Sequence, residues 1–176
     1  MGCLVKEKTE IHGLDSSLLD FQERLAHLIK DPSTDNDDGF IGMSTSQGNW
    51  LLDLSYLNET SVPSKIATIG GVSDWVLGIA SFRGQVITVL DMQKILDGNL
   101  TENTHEGWIT IIQERWSGFI SFLWPKMKGL ISQKDLKESQ AEKKEWSKAV
   151  WEDSEGDVWQ ELDIERILKS KFVISE

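Results

Sequence analysis

Residues 75 to 91 read Trp-Val-Leu-Gly-Ile-Ala-Ser-Phe-Arg-Gly-Gln-Val-Ile-Thr-Val-Leu-Asp, two short apolar runs broken only by Phe82, Arg83, Gly84 and Gln85. Each run is too short for a helix and is rich in β-branched residues and glycine, so the pattern predicts two buried strands meeting at a turn. Gly84 supplies that turn, because glycine takes positive φ without a Cβ clash. Arg83 is then the one charged side chain presented at the bend.

The same reading extends along most of the chain. Phe40 to Thr45 and Trp50 to Asp53 form a hairpin around a Gly48-Asn49 turn. Leu54 to Val62 continues its second strand until Pro63 breaks the pairing, and Gly70-Gly71 is a turn. After a polar loop from Asp97 to Gly107, Trp108 to Gln113 and Trp116 to Trp124 make a second hairpin, with Glu114-Arg115 at its turn. Gln133 to Lys148 is crowded with Lys, Glu and Gln and reads as a surface excursion, not a core element. Trp146 to Trp151 and Val158 to Leu162 close a last hairpin around Asp153 to Asp157, after which Asp163 caps a short helix through Ile167 and Leu168. Short strands with closely spaced turns in two clusters, one on each side of residue 100, predict a pair of small β-barrels. At 176 residues and 39% hydrophobic, the chain is long enough for one substantial core.

Ahead of the strands lies a different pattern. Leu14, Leu18, Phe21, Leu25 and Leu28 recur every three or four residues, which predicts one amphipathic helix. Asp15, Ser16 and Ser17 offer caps for its first turn and Pro32 ends it. Its apolar stripe suits packing on its own β body or a groove on a partner. The acidic stretch from Asp31 to Gly39 has the look of a calcium loop, but Thr34 and Thr45 fall where an EF-hand needs Asp and a bidentate Glu. It reads as a solvated linker, so residues 1–38 are expected to form a leader and 39–176 the folded domain.

Charge and residue usage exclude several functions. A net charge of −11 opposes binding to nucleic acid or to anionic membrane, since such affinity comes from Lys and Arg displacing counterions. No apolar stretch approaches the ~20 residues of a spanning helix, and the first residues lack the order of a signal peptide, so a soluble, cytoplasmic protein is expected. Lys6 stands where a myristoylation motif wants Ser or Thr. Cys3 is the only cysteine, which leaves no intrachain disulfide and no multi-cysteine metal site. His12, His27 and His105 have no partner spacing for a metal or a nucleophile and base. Neither a nucleophile elbow nor a phosphate-cradling glycine loop occurs, and a chain that does not alternate strand and helix cannot be a phosphoacceptor domain. The expectation is no enzyme activity, no metal and no cofactor. Eight tryptophans raise the alternative of an apolar-ligand barrel, yet Trp50, Trp108, Trp116 and Trp159 fall on predicted strands and suit a core.

The segment from Trp75 to Met92 closely resembles the signature of the CheW-like adaptor family, a Gly-hydrophobic-x-x-hydrophobic-Arg-Gly strand and turn followed by an apolar run closing on hydrophobic-Asp. Gly78, Arg83, Gly84 and Asp91 fall in register, and Leu57-Asn58-Glu59 falls where the family carries a hydrophobic-x-Glu stretch. The likeness is collinear from about residue 39 to 172 and departs at Trp124-Pro125, where the family has hydrophobic-Asp-x-Val. It implies two five-stranded barrels sharing a core, and a non-enzymatic adaptor that joins the cytoplasmic tip of a methyl-accepting chemoreceptor to the regulatory domain of a CheA-type histidine kinase. The length, leader and divergent strand edges look most like the PilI-type adaptors of type IV pilus twitching; a flagellar chemotaxis adaptor fits the same core motif. The resemblance implies partner-binding roles for Arg83, Gly84, Gly78, Leu57 and Glu59. The plainer alternatives are an Arg83 ion pair with Asp74 or Asp91 that merely holds the turn, a core Leu57 and a solvated Glu59.

Overall fold

A computed structural model describes residues 39–113, 115 and 119–171, all within the compact unit Asp37–Glu176. The predicted leader helix, Trp116 and the acidic linker up to residue 38 lie outside the described residues. In chain order the elements are β1 (Gly39–Thr45), β2 (Gly48–Asp53), β3 (Leu57–Ser61), β4 (Val76–Phe82), β5 (Gln85–Asp91), α1 (Met92–Asp97), β6 (Trp108–Ile112) and β7 (Ile120–Trp124). They continue with β8 (Lys126–Ser132), β9 (Lys137–Glu138), β10 (Ser147–Glu152), β11 (Val158–Leu162) and α2 (Ile164–Lys171).

The strands form two sheets, one in the order β8-β1-β2-β11-β10-β9 and one in the order β3-β6-β7-β5-β4. The expected barrels are therefore two sheets, neither of them closed by a ladder among the described residues. Between β3 and β4 the chain carries Pro63, which cannot donate to a ladder, and only an isolated bridge, Ala67 to Ile79, meets the outer edge of β4.

Each sheet is apolar on both faces over its central strands, as period-two alternation requires. In the six-stranded sheet, Ile41 lies opposite Leu52 and Met43 opposite Trp50, and all four are fully buried. Their neighbours Phe40 and Leu51 turn the other way, into a cluster with Leu136 and Trp159. The five-stranded sheet repeats the scheme: Ala80, Ile87, Val89, Ile109, Ile111 and Leu123 form one cluster, while Leu90, Phe122 and Trp124 alternate away from it and are fully buried. β1 approaches β7, and α1 packs on both. Each sheet carries its own apolar cluster, and the sheets meet where β1 and α1 approach β7.

Three local expectations need correction, and one helix falls where no element was expected. The first turn is Ser46-Gln47 instead of Gly48-Asn49, since Thr45 pairs with Gly48; Asp97 of α1 fixes it by accepting from Ser46 Oγ at 2.9 Å and from Gln47 N at 3.2 Å. Leu54 to Val62 does not prolong β2: Asp53 accepts from the Ser55 amide at 2.7 Å, and a 3-10 turn over Leu54–Tyr56 passes the chain from one sheet to the other. Met92–Asp97, which lies between the predicted strand end at Asp91 and the polar loop from Asp97, is a helix capped by Asp91 through the Lys94 amide and ended by Gly98 at φ 81°. The polar excursion after Gln133 does reach the core, because Leu136 is buried against Phe40 and Trp159. The Asp163 cap of α2 stands as expected, accepting from the Arg166 amide at 3.0 Å.

Candidate functional site

The hairpin predicted from residues 75 to 91 is β4 and β5, and Phe82 pairs with Gln85, which leaves Arg83-Gly84 as a two-residue loop. Both residues are left-handed, Arg83 at φ 48° and Gly84 at φ 79°. Positive φ at both central positions matches the right-handed twist of the flanking strands, which is why such loops usually carry Asn-Gly or Gly-Gly. Arginine in the first position works against that preference. Its presence is not explained by the turn.

Arg83 projects to the surface, with its side chain 72% exposed, and its Nη2 donates to Glu59 Oε1 at 2.8 Å. The guanidinium lies 5.4 Å from the centre of the Phe82 ring. Asp74 and Asp91 are not its partners. Asp74 bonds Lys94 at 3.1 Å. Asp91 is fully buried and accepts from Lys94 N at 3.1 Å, Thr101 N at 2.8 Å and Thr101 Oγ1 at 2.8 Å. The aspartate that ends the sequence motif is thus a structural residue that caps α1 and ties down the loop after it.

Glu59 reaches Arg83 through an irregularity in β3. The β3–β6 register shifts between Leu57 and Glu59, so one extra residue re-aims the side chain that follows. Leu57 is buried at the start of the strand. Gly78 is also buried; it has φ 142°, and a Cβ there would run into the Ala67 carbonyl oxygen. Of the five residues singled out, the structure brings Arg83, Gly84 and Glu59 to one surface. Leu57 and Gly78 it places in the interior.

Arg83 and Glu59 stand at the rim of an open groove of about 380 Å³, floored by Ile87 and Ile111, with Arg115 and Phe119 also in its lining. Arg115 and Phe119 escaped the sequence reading because Glu114-Arg115 looked like nothing more than a turn; the signal available was an aromatic and an arginine close to that turn. Elsewhere, Trp50 and Trp124 fill the core, and Trp124 Nε1 donates to Thr110 Oγ1 at 3.1 Å. His105 is exposed in a 3-10 turn. No cluster of three or more His, Cys, Asp or Glu suited to a metal occurs among the described residues, and none of their helices is long and apolar enough to cross a membrane.

Two antiparallel-rich sheets with a buried apolar interior and an exposed charged pair between β3 and the tip of the β4–β5 hairpin define a small β module. The chain belongs to the CheW-like domain family, whose profile matches residues 40–172. Among solved structures, it is similar to the scaffolding protein TtCheW from Thermoanaerobacter tengcongensis, with a TM-score of 0.63 over 76% of this chain and 93% of that one, at 13% identity. That likeness is one of fold. No curated protein sequence matches the chain.

Proposed function

We propose that the protein is a non-enzymatic adaptor of two-component signalling that couples the cytoplasmic tip of a methyl-accepting chemoreceptor to the regulatory domain of a CheA-type histidine kinase. The observation that carries this reading is the Arg83–Glu59 pair, which joins a two-residue hairpin loop to β3 at the surface of a family-matched domain. Arginine brings a planar, multi-donor head that suits interfaces, and the turn, which calls for a left-handed residue at this position, gives no reason for that residue to be arginine. Strained residues of this kind persist where surrounding structure enforces them and where binding uses them. Such an adaptor works by fixing two partners in one geometry, so that a shift in one biases the other.

Within that reading, Arg83, Gly84 and Glu59 form the contact surface, with Gly78 and Leu57 supporting the strands behind it. The pathway we favour is the control of type IV pilus twitching, on the chain's length, its leader and its departure at Trp124-Pro125. The test is calorimetric titration of the protein into the regulatory domain of the CheA-type kinase from the same genome, beside Arg83→Asn, which keeps the turn and removes the guanidinium. Saturable wild-type binding that weakens in the variant supports the adaptor. No binding between folded proteins leaves only a shared fold. For the pathway, deleting the gene should abolish twitching and leave flagellar swimming intact; the reverse result assigns it to flagellar chemotaxis.

A further inference from the structure

Helix α2 sets two cations over tryptophan rings that belong to different parts of the fold. Lys171 Nζ lies 5.6 Å from the centre of the Trp75 ring and 5.4 Å from that of Trp146, and the Arg166 guanidinium lies 5.4 Å from the Trp146 ring as well. Both tryptophans are half-buried, and each stands immediately ahead of a strand, Trp75 before β4 and Trp146 before β10. Their backbones are fastened too. The Trp75 carbonyl accepts from the amide of Asp91, the last residue of β5, and the Trp146 carbonyl accepts from the amide of Asp163, each at 2.9 Å. Trp75 thus goes with the five-stranded sheet and Trp146 with the six-stranded one. One ammonium faces both.

The rest of the helix is tied down in the same way. Ile164, Ile167 and Leu168 are buried. Glu165 accepts from Tyr56 Oη at 3.0 Å, and Tyr56 lies in the 3-10 turn that passes the chain from one sheet to the other. Arg166 Nη1 donates at 2.6 Å to the carbonyl of Glu145, the residue before Trp146. Attraction of a cation to the negative face of an indole needs no single hydrogen-bond direction, and a lysine stem is long and packs along apolar surface, so one ammonium can serve two rings. Lys169, two positions earlier, is exposed and pairs with Glu165 of its own helix at 3.6 Å.

We infer that α2 is a strap across the two sheets and that Lys171 is its pin, the ammonium holding Trp75 and Trp146 to one point. Removing that charge releases the last turn of the helix from both rings at once and leaves the strand ladders paired. This conformational role is independent of any partner.

Thermal melts of Lys171→Met, Trp75→Leu, Trp146→Leu and the two corresponding double variants test it, with Lys169→Met and Lys171→Arg as controls. Lys171→Met should lower the melting temperature by about 3–6 °C and keep the strand signal in far-UV circular dichroism. In the Trp75→Leu or the Trp146→Leu background the same change should have about half that effect, since one ring remains. Lys171→Arg keeps a cation and should stay close to wild type. The indole NMR signals give a second reading that needs no tryptophan variant: Lys171→Met should shift those of both Trp75 and Trp146, and Lys169→Met neither. If the losses from Lys171→Met and Trp75→Leu simply add, or if the Trp146 indole alone shifts, Lys171 serves one sheet and the strap is refuted. Equal losses in Lys171→Met and Lys169→Met also refute it, because positive charge at the helix end would then account for the effect.

Discussion

Gly84 and Gly78 both lie in the sequence motif, but they serve the hairpin differently. At Gly84 nothing lies within 4 Å of a Cβ, and the requirement is the φ of 79° alone. Gly84→Val should therefore cost about 1–2 kcal/mol, the strain of an L-residue in the left-handed region, read as a drop in thermal midpoint with the fold kept. Gly78→Ala combines positive φ with a collision against the Ala67 backbone, so a further loss of about 1–3 kcal/mol is expected from overpacking. Equal melts for the two variants would contradict this distinction. Tyr56 offers a second residue-scale test because it is the only tyrosine. Burial and its hydrogen bond to Glu165, 3.0 Å from Oη, push its pKa up to about 12. The neutral phenol is the favoured form in the fold, so its stabilising contribution is whole below the ordinary value of 10.0 and is lost as pH rises towards about 12. Tyrosinate absorbance should show this delayed titration, and Glu165→Gln should bring it earlier. Gly84 was legible in the sequence because its role is local. Glu59, the partner of Arg83, was not paired with it in advance, because 24 residues separate them and only the second sheet brings them together.

Among the elements, turns and caps decide what periodicity alone cannot. The β10–β11 turn is organised by Asp153, whose Oδ1 accepts from the amides of Glu155 and Asp157, each at 2.9 Å, and whose Oδ2 accepts from Trp159 Nε1 at 2.8 Å. The Trp159 bond comes first among the causes that hold the Asp153 carboxyl below its usual range. A depressed carboxyl pKa stabilises the fold at neutral pH, and that contribution disappears as pH falls through the depressed value. Asp153→Asn should thus lower the melting temperature at neutral pH and make progressively less difference in acid; a constant gap between the two melting curves would refute the assignment. The hairpin β4–β5 and the helix α2 were legible from apolar runs and from the Asp163 cap. Helix α1 was not, since six residues offer too little periodicity and its evidence lies in Asp91 and Gly98, each of which reads equally well as the end of a strand or the start of a loop. The short 3-10 turn after β2 was hidden for a similar reason: its residues Leu54, Ser55 and Tyr56 carry no breaker, and only the Asp53 cap marks the change.

At the level of the whole molecule, sequence pattern identified a mainly β chain, but its two expected groups, before and after residue 100, are not the two sheets: β1 and β2 join β8 to β11, and β3 to β5 join β6 and β7. Both sheets include a parallel pair, β5 with β7 and β11 with β2, and no turn signal announces a partner so distant in the chain. Contact of β1 and α1 with β7 predicts that the two sheets unfold together. Phe122, fully buried on β7, should cost about 3–5 kcal/mol on replacement by alanine, and unfolding followed by far-UV circular dichroism and by tryptophan fluorescence should coincide in wild type and variant. Separate transitions would mean that the sheets unfold independently.

The position of β11 also bears on how the protein is made. It lies between β2 and β10, so the β1–β2 hairpin keeps one edge bare until residues 158 to 162, the last strand among the described residues, have emerged from the ribosome. An unpaired apolar edge is a template for wrong partners. A nascent chain halted before Val158 would expose it, and the early part of this molecule depends on the late part to become safe.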